Sequence, residues 1–230
     1  MKPVPATDRR AAAIVLTGGA SRRMGTDKTV LRLGDSGGSG GPDDPDGSGG
    51  RTLLERVLDA LTGAAVTPIV VVGPPSPITD SRPTLISVTE STPGGGPAHA
   101  LATGLAQIPG GIVLLLAADL PFLTAEAVMA LVTALSTADP HRPVDGAVYT
   151  DGTRPQWLCG AWRVDALRKA VAATGAAPGT PLRALLAPLA REELTWTAPG
   201  PPPYFDCDTP EALAEAERIL STRDAWKARP

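Results

Sequence analysis

The chain has 230 residues, with 21 Lys+Arg against 24 Asp+Glu, a formal net charge of −3 and 43% apolar side chains. That length suits one α/β domain of about 200–250 residues, and the mild acidity argues against a protein built to grip nucleic acid. Only 3% aromatic residues leave little for stacking single-stranded bases, and the apolar content excludes a wholly disordered chain despite 25 Gly and 25 Pro.

The first expected element is a buried parallel strand over Ala12–Thr17, a short apolar run closed by Gly18-Gly19. Arg9-Arg10 precede it, but six apolar residues ending in a Gly-Gly turn do not make an export signal, so the expected compartment is cytoplasmic. Gly34–Gly50 contains no apolar residue and has the composition of a flexible linker, as expected of a surface insertion within a single domain spanning residues 1–230. The apolar spacing of Leu53, Leu54, Val57, Leu58 and Leu61 predicts a helix over Thr52–Leu61.

Strands are then expected at Ile69–Val72 and Leu85–Val88, a helix at Pro97–Ile108 and a strand at Ile112–Ala118. That last run is far short of the ~20 residues that cross a bilayer. A helix capped by Thr124 is expected to Leu135, then strands at Val144–Tyr149 and Trp157–Trp162. Helices at Val164–Ala173, Pro181–Leu189 and Thr209–Leu220 complete the pattern, the last opened by a Thr-Pro-Glu start. Alternation of this kind predicts a mostly parallel sheet covered by helices on both faces. Cys159 and Cys207 read as reduced packing residues, His99 as a surface or packing histidine, and His141 as a loop residue.

Four runs carry chemistry. Leu16-Thr17-Gly18-Gly19-Ala20-Ser21-Arg22-Arg23-Met24-Gly25-Thr26-Asp27-Lys28 has neither Rossmann nor Walker spacing. It supplies the same parts, however: glycines that bring backbone N–H groups close to a ligand, a Ser21 hydroxyl, and the charges of Arg23 and Lys28 for a polyphosphate. Asp119, just past a buried strand, stands at the carboxyl edge of the sheet and is a hard oxygen ligand suited to Mg²⁺. Gly94-Gly95-Gly96-Pro97 opens a helix with close backbone approach and a positive dipole end. Asp206 and Asp208 offer acceptor oxygens and negative charge that suit a cation.

Together these runs resemble the molybdenum cofactor guanylyltransferases, a nucleotidyltransferase family. The first is similar to that family's L-x-G-G-x-S-x-R-M-G-x-D-K string, with Gly18, Gly19, Ser21, Arg23, Met24, Gly25, Asp27 and Lys28 in register. Leu120-Pro121-Phe122 after Asp119 resembles the family's D-M-P-F element, with Ala118 where Cys is frequent. Gly95-Gly96-Pro97 resembles G-G-P-L-x-A, and Glu90 stands near an acidic nucleotide contact where Asp is usual. Asp206 and Asp208 replace the asparagines of N-x-N-T-P-E, and Trp157 replaces proline in a Q-P-L-x-A-x-Y-R strand.

The resemblance implies a three-layer α/β/α, Rossmann-like nucleotidyltransferase fold. It implies that Leu16, Thr17, Gly18, Gly19, Ser21, Lys28, Glu90, Gly95, Gly96 and Asp119 bind the nucleotide. Arg23, Lys28 and Asp119 would be catalytic, and Asp119, Asp206 and Asp208 would hold Mg²⁺. The implied substrates are GTP and the phosphate of molybdopterin cofactor, with pyrophosphate released. Molybdoenzymes or other cofactor-biosynthesis proteins are the implied partners, with no nucleic acid and no membrane. Two alternatives stay open: cytidylyl or other nucleotidyl transfer to a related phosphorylated acceptor, and a catalytically inactive nucleotide-binding regulatory module. Gly18-Gly19, where pyrimidine-using relatives commonly carry Ala-Gly, favours the guanylyl reading, and retention of both Lys28 and Asp119 favours an enzyme.

Overall fold

The computed structural model describes residues 11–18, 31–34, 50–139 and 141–227. Gly19, Ser21, Arg23, Lys28 and most of the Gly34–Gly50 insertion lie outside the described residues. In chain order the first elements are β1 (Ala11–Leu16), β2 (Arg32–Gly34), β3 (Gly50–Thr52), α1 (Leu53–Gly63), β4 (Ile69–Val72), α2 (Pro77–Asp80) and β5 (Leu85–Val88). Then come α3 (Pro97–Leu105), β6 (Ile112–Ala117), α4 (Ala125–Ser136), β7 (Gly146–Thr150) and β8 (Pro155–Arg163). The last are α5 (Val164–Thr174), α6 (Leu182–Leu186), β9 (Arg191–Thr195) and α7 (Pro210–Lys227).

Seven strands form one sheet in the order β5-β4-β1-β6-β8-β7-β9. Neighbours run parallel except at β8, which lies antiparallel to β6 and β7. The fold is the expected three-layer α/β/α arrangement, and β1 shows why. Its six residues are all buried, Ala11, Ala13 and Val15 packing with α1 and α4 while Ala12, Ile14 and Leu16 pack with α3, α5 and α6. Successive strand side chains point to opposite faces, so a strand apolar at every position must be covered on both.

Helix starts follow local chemistry. Thr52 caps α1 through a capping box, its hydroxyl accepting from Glu55 N while the Glu55 carboxylate accepts from Thr52 N. Thr124 caps α4 by accepting from Ala127 N at 3.2 Å. The structure shortens the helices expected to Ile108 and over Pro181–Leu189, which end at Leu105 and span Leu182–Leu186, and it extends the last helix to Lys227.

Four elements have no sequence expectation. β9 is an edge strand with three charged residues among its five and a single apolar one, Leu194, so it lacks apolar alternation. The one-turn helix α2 is too short for a periodic signal. β2 and β3 are three residues each and pair antiparallel with Gly34 opposite Gly50, closing the base of the insertion. Leu33 of this hairpin and Leu53 at the start of α1 pack with Phe122, Cys207, Ala216 and Leu220 in a small third core.

Candidate functional site

The strand register builds the site. Leu16 pairs with Val72 and Ala117, and Val72 pairs with Val88, so the ends of β1, β4, β5 and β6 lie in one row. The residues that follow leave the sheet together at its carboxyl edge. The strand order also reverses there, with β4 on one side of β1 and β6 on the other, where open α/β sheets bind ligands.

Thr17 and Gly18 carry the chain on from β1 over this edge. Thr17 N and Thr17 Oγ1 both donate to the Val72 carbonyl, at 2.9 and 3.1 Å. The neighbouring strand approaches so closely that a Cβ on Gly73 would lie 1.9 Å from Thr17 Oγ1 and 3.1 Å from Gly18 N. Gly73 is a site residue that motif reading missed; a lone glycine after a strand signals only a turn.

Glu90 enters from beyond β5. It is only 9% exposed, and its Oε2 lies 3.5 Å from where a Cβ on Gly18 would stand. Its Oε1 is buried without a hydrogen-bond partner among the described residues. Burial pushes the Glu90 carboxyl above its usual range, and the charge of His99 opposes that shift. The glycine run sits beside it: Gly95 N donates to the Thr92 carbonyl at 3.1 Å, and Gly96, with φ at 89°, starts α3 without a side-chain cap.

The structure brings His99 into this site. Nδ1 of His99 donates to the Ala176 carbonyl at 3.3 Å, and Gly179 N donates to the Gly95 carbonyl at 2.8 Å. The turn between α5 and α6 therefore braces the glycine run. Its Gly and Pro residues mark a loop in the sequence, but nothing local says which segment it supports.

Asp119 follows β6 on the other side of Gly18. Its carbonyl accepts from Cys207 N at 3.2 Å, and Phe122 meets Phe205 edge-on at 5.3 Å between ring centres. These contacts bring the segment of Asp206 and Asp208 to Asp119 across a long sequence separation. Asp206 keeps an open face to solvent, yet its carboxyl is raised by desolvation on the inner side and by the charges of Asp208 and Asp119. Among the described residues no three His, Cys, Asp or Glu side chains converge as a metal cage. The donor set still fits a hard cation such as Mg²⁺, which takes one or two carboxylates and completes its shell with water and substrate phosphates. Cys159 and Cys207 are buried and form no disulfide, in line with reduced packing residues.

The desolvation of Glu90 has a measurable consequence. A carboxyl raised in the fold binds more protons in the native state than in the unfolded state, so native stability falls as pH rises through the interval between the two pKa values. Above that interval the ionised carboxylate is a net cost. Glu90→Gln is therefore expected to raise the Tm of the ligand-free protein at neutral pH, with the gain shrinking as pH falls into the carboxylate range. A gain independent of pH in thermal melts would rule out the charge as its cause.

A glycine-bearing segment, a buried acidic residue and neighbouring carboxylates lie along one sheet edge, and the sequence match of the chain makes it a nucleotidyltransferase. Residues 13–194 match the MobA-like NTP transferase domain, and the chain belongs to that family. A molybdenum cofactor guanylyltransferase of Xanthomonas euvesicatoria pv. vesicatoria is 32% identical over 202 residues, covering 86% of this chain and 89% of that protein. Two solved structures share the fold. Molybdopterin-guanine dinucleotide biosynthesis protein A of Archaeoglobus fulgidus superposes with a TM-score of 0.63 at 20% identity, covering 92% of this chain and 99% of its own. The 2-C-methyl-D-erythritol 4-phosphate cytidylyltransferase of Thermus thermophilus gives 0.64 at 15% identity, covering 92% and 98%. Among the described residues no helix is long and apolar enough to cross a membrane.

Proposed function

We propose that this protein transfers GMP from GTP to the phosphate of molybdopterin cofactor, using Mg²⁺ and releasing pyrophosphate. The observation that carries the reading is the polarity of the site. Glu90 lies against Gly18 on one side, and Asp119, coupled to Asp206, lies on the other. A triphosphate is repelled by an unshielded buried carboxylate, so the base belongs at Glu90 and the phosphates at Asp119. The name of the Xanthomonas relative supports the same donor and acceptor.

In this reading the backbone of Leu16, Thr17, Gly18 and Gly19, with Ser21, holds the nucleotide, and Gly95 and Gly96 close over the nucleoside. Arg23 and Lys28 hold the triphosphate, while Asp119 fixes the metal with Asp206 and Asp208 beside it. Bound Mg²⁺ supplies charge neutralisation at the α-phosphate. A phosphate oxygen of the acceptor bonds to the α-phosphorus as the bond to the pyrophosphate oxygen breaks. The nucleophile is already ionised, so the protein's task is alignment and electrostatic stabilisation rather than proton removal. The expected compartment is cytoplasmic, with molybdoenzymes or other cofactor-biosynthesis proteins as partners.

The test is a competition between GTP and CTP at equal concentration, with molybdopterin cofactor as acceptor and pyrophosphate and product measured. GTP is expected to dominate, because a wrong base leaves buried polar groups unpaired at about 1–3 kcal/mol each. Gly18→Ala sharpens the test. Among the described residues the added methyl meets only Glu90 Oε2, at an ordinary 3.5 Å, so folding is expected to proceed. The methyl intrudes beside the carboxylate, however, and GTP use should fall more than CTP use. A preference for CTP in the unmodified protein would overturn the guanylyl reading.

A further inference from the structure

Gly95 is held from three sides. Its N–H donates to the Thr92 carbonyl at 3.1 Å, and its own carbonyl accepts from Gly179 N at 2.8 Å. The His99 ring closes its flank, where a Cβ would come within 2.7 Å of His99 Cδ2. Two of these holds trace back to one side chain. Nδ1 of His99 donates to the Ala176 carbonyl at 3.3 Å, in the same turn as the Gly179 N–H. His99 stands on α3, so the bonds close a loop from His99 through Ala176 and Gly179 to Gly95 and back into α3.

The turn that closes the loop is strained. Gly175, Ala176 and Gly179 have φ of 73°, 39° and 87°, all in the left-handed region. Glycine adopts such a backbone readily, whereas alanine keeps it only where its surroundings hold it. Ala176 is buried in the core between α3, α5 and α6, and its carbonyl takes the bond from His99. The strained turn thus sits against the run that opens α3, whose first turn has no side-chain cap and leaves backbone N–H groups for a ligand.

We propose that His99 is a positioning residue: without touching the nucleotide, it holds the α5–α6 turn in its strained form and through it fixes Gly95 and Gly96 against the nucleoside. This inference rests on the nucleotide placement given above and not on the choice of base. The brace acts on backbone, so it should set affinity for GTP and CTP alike. It should leave kcat unchanged, because the reacting phosphates belong at Asp119, on the other side of Gly18.

Three substitutions separate the bond from the bulk of the ring. Leucine fills the near half of the ring's space without a donor, asparagine places Nδ2 where Nδ1 now stands, and glutamine carries its amide one bond too far. Dissociation constants for GTP and CTP are measured by calorimetry, and kcat by pyrophosphate release, on the unmodified protein, His99→Leu, His99→Asn and His99→Gln. His99→Leu and His99→Gln are expected to weaken both nucleotides about fivefold, the scale of one lost hydrogen bond, with kcat unchanged. His99→Asn should restore most of the affinity. Gly179→Ala serves if His99→Leu does not fold. Its methyl meets nothing within 4 Å, yet φ of 87° strains the N–H that holds Gly95, and both nucleotides should weaken again. Unchanged affinity in His99→Leu beside a lower Tm would make the bond purely structural and overturn the inference. Weakening of GTP alone would overturn it too, by making His99 a reader of the base. The GTP-to-CTP ratio of the unmodified protein decides the guanylyl reading separately, and equal weakening of both nucleotides supports the brace whichever base is preferred.

Discussion

Asp119→Ala is expected to lower turnover by about 10²–10³-fold, the usual scale for losing one preorganised electrostatic contact, and to leave the fold intact. The fold should survive because Asp119 is only half-buried, and its backbone carbonyl keeps the bond from Cys207 N. Removing one of three mutually repelling carboxylates also relieves the crowding that raises the Asp206 carboxyl. Lys28→Ala should cut turnover by a similar factor, by removing the charge proposed to hold the triphosphate. Pyrophosphate release under saturating GTP, read beside the Tm of each variant, checks both. Near-normal turnover in either variant would remove that residue from the reaction.

Gly73→Ala is expected to be nearly as damaging, through a different route. Its methyl would sit 1.9 Å from Thr17 Oγ1, which itself donates to Val72, and 3.1 Å from Gly18 N, so the Thr17 hydroxyl must leave its bond and the Thr17–Gly18 backbone must shift by a few tenths of an ångström. Overpacking of this kind costs about 1–3 kcal/mol of stability. Displacing the turn also misplaces the nucleotide against Asp119, and a shift of about 1 Å can cost about 10²-fold in rate. Lower Tm together with weaker GTP binding is the expected result. A variant with unchanged GTP affinity would show that the turn does not hold the nucleotide.

The identity of Glu90 sets a balance between stability and binding. Its buried carboxylate is a cost to the empty protein that a matching set of N–H donors would offset. The same substitution that is expected to raise the Tm, Glu90→Gln, should therefore weaken GTP binding.

Much of this molecule is determined by residues that act on their near neighbours. β1 and β6 are apolar at every position, which dictates strands covered on both faces. Thr52, Thr124 and Thr209 place three helix starts through bonds spanning three residues. Asp119 falls at the sheet edge because it lies just past a buried strand.

Tertiary structure alone decided the rest, because contacts between distant segments leave no periodic trace in either one. β9 is held as an edge strand by pairing with β7, although all its side chains but Leu194 are polar. Asp206 and Asp208 meet Asp119 only because Cys207 N bonds the Asp119 carbonyl and Phe205 packs on Phe122. His99 reads as an ordinary helix residue until the α5–α6 turn holds its Nδ1, the glycine run confines its ring, and Nε2 is left without a partner among the described residues.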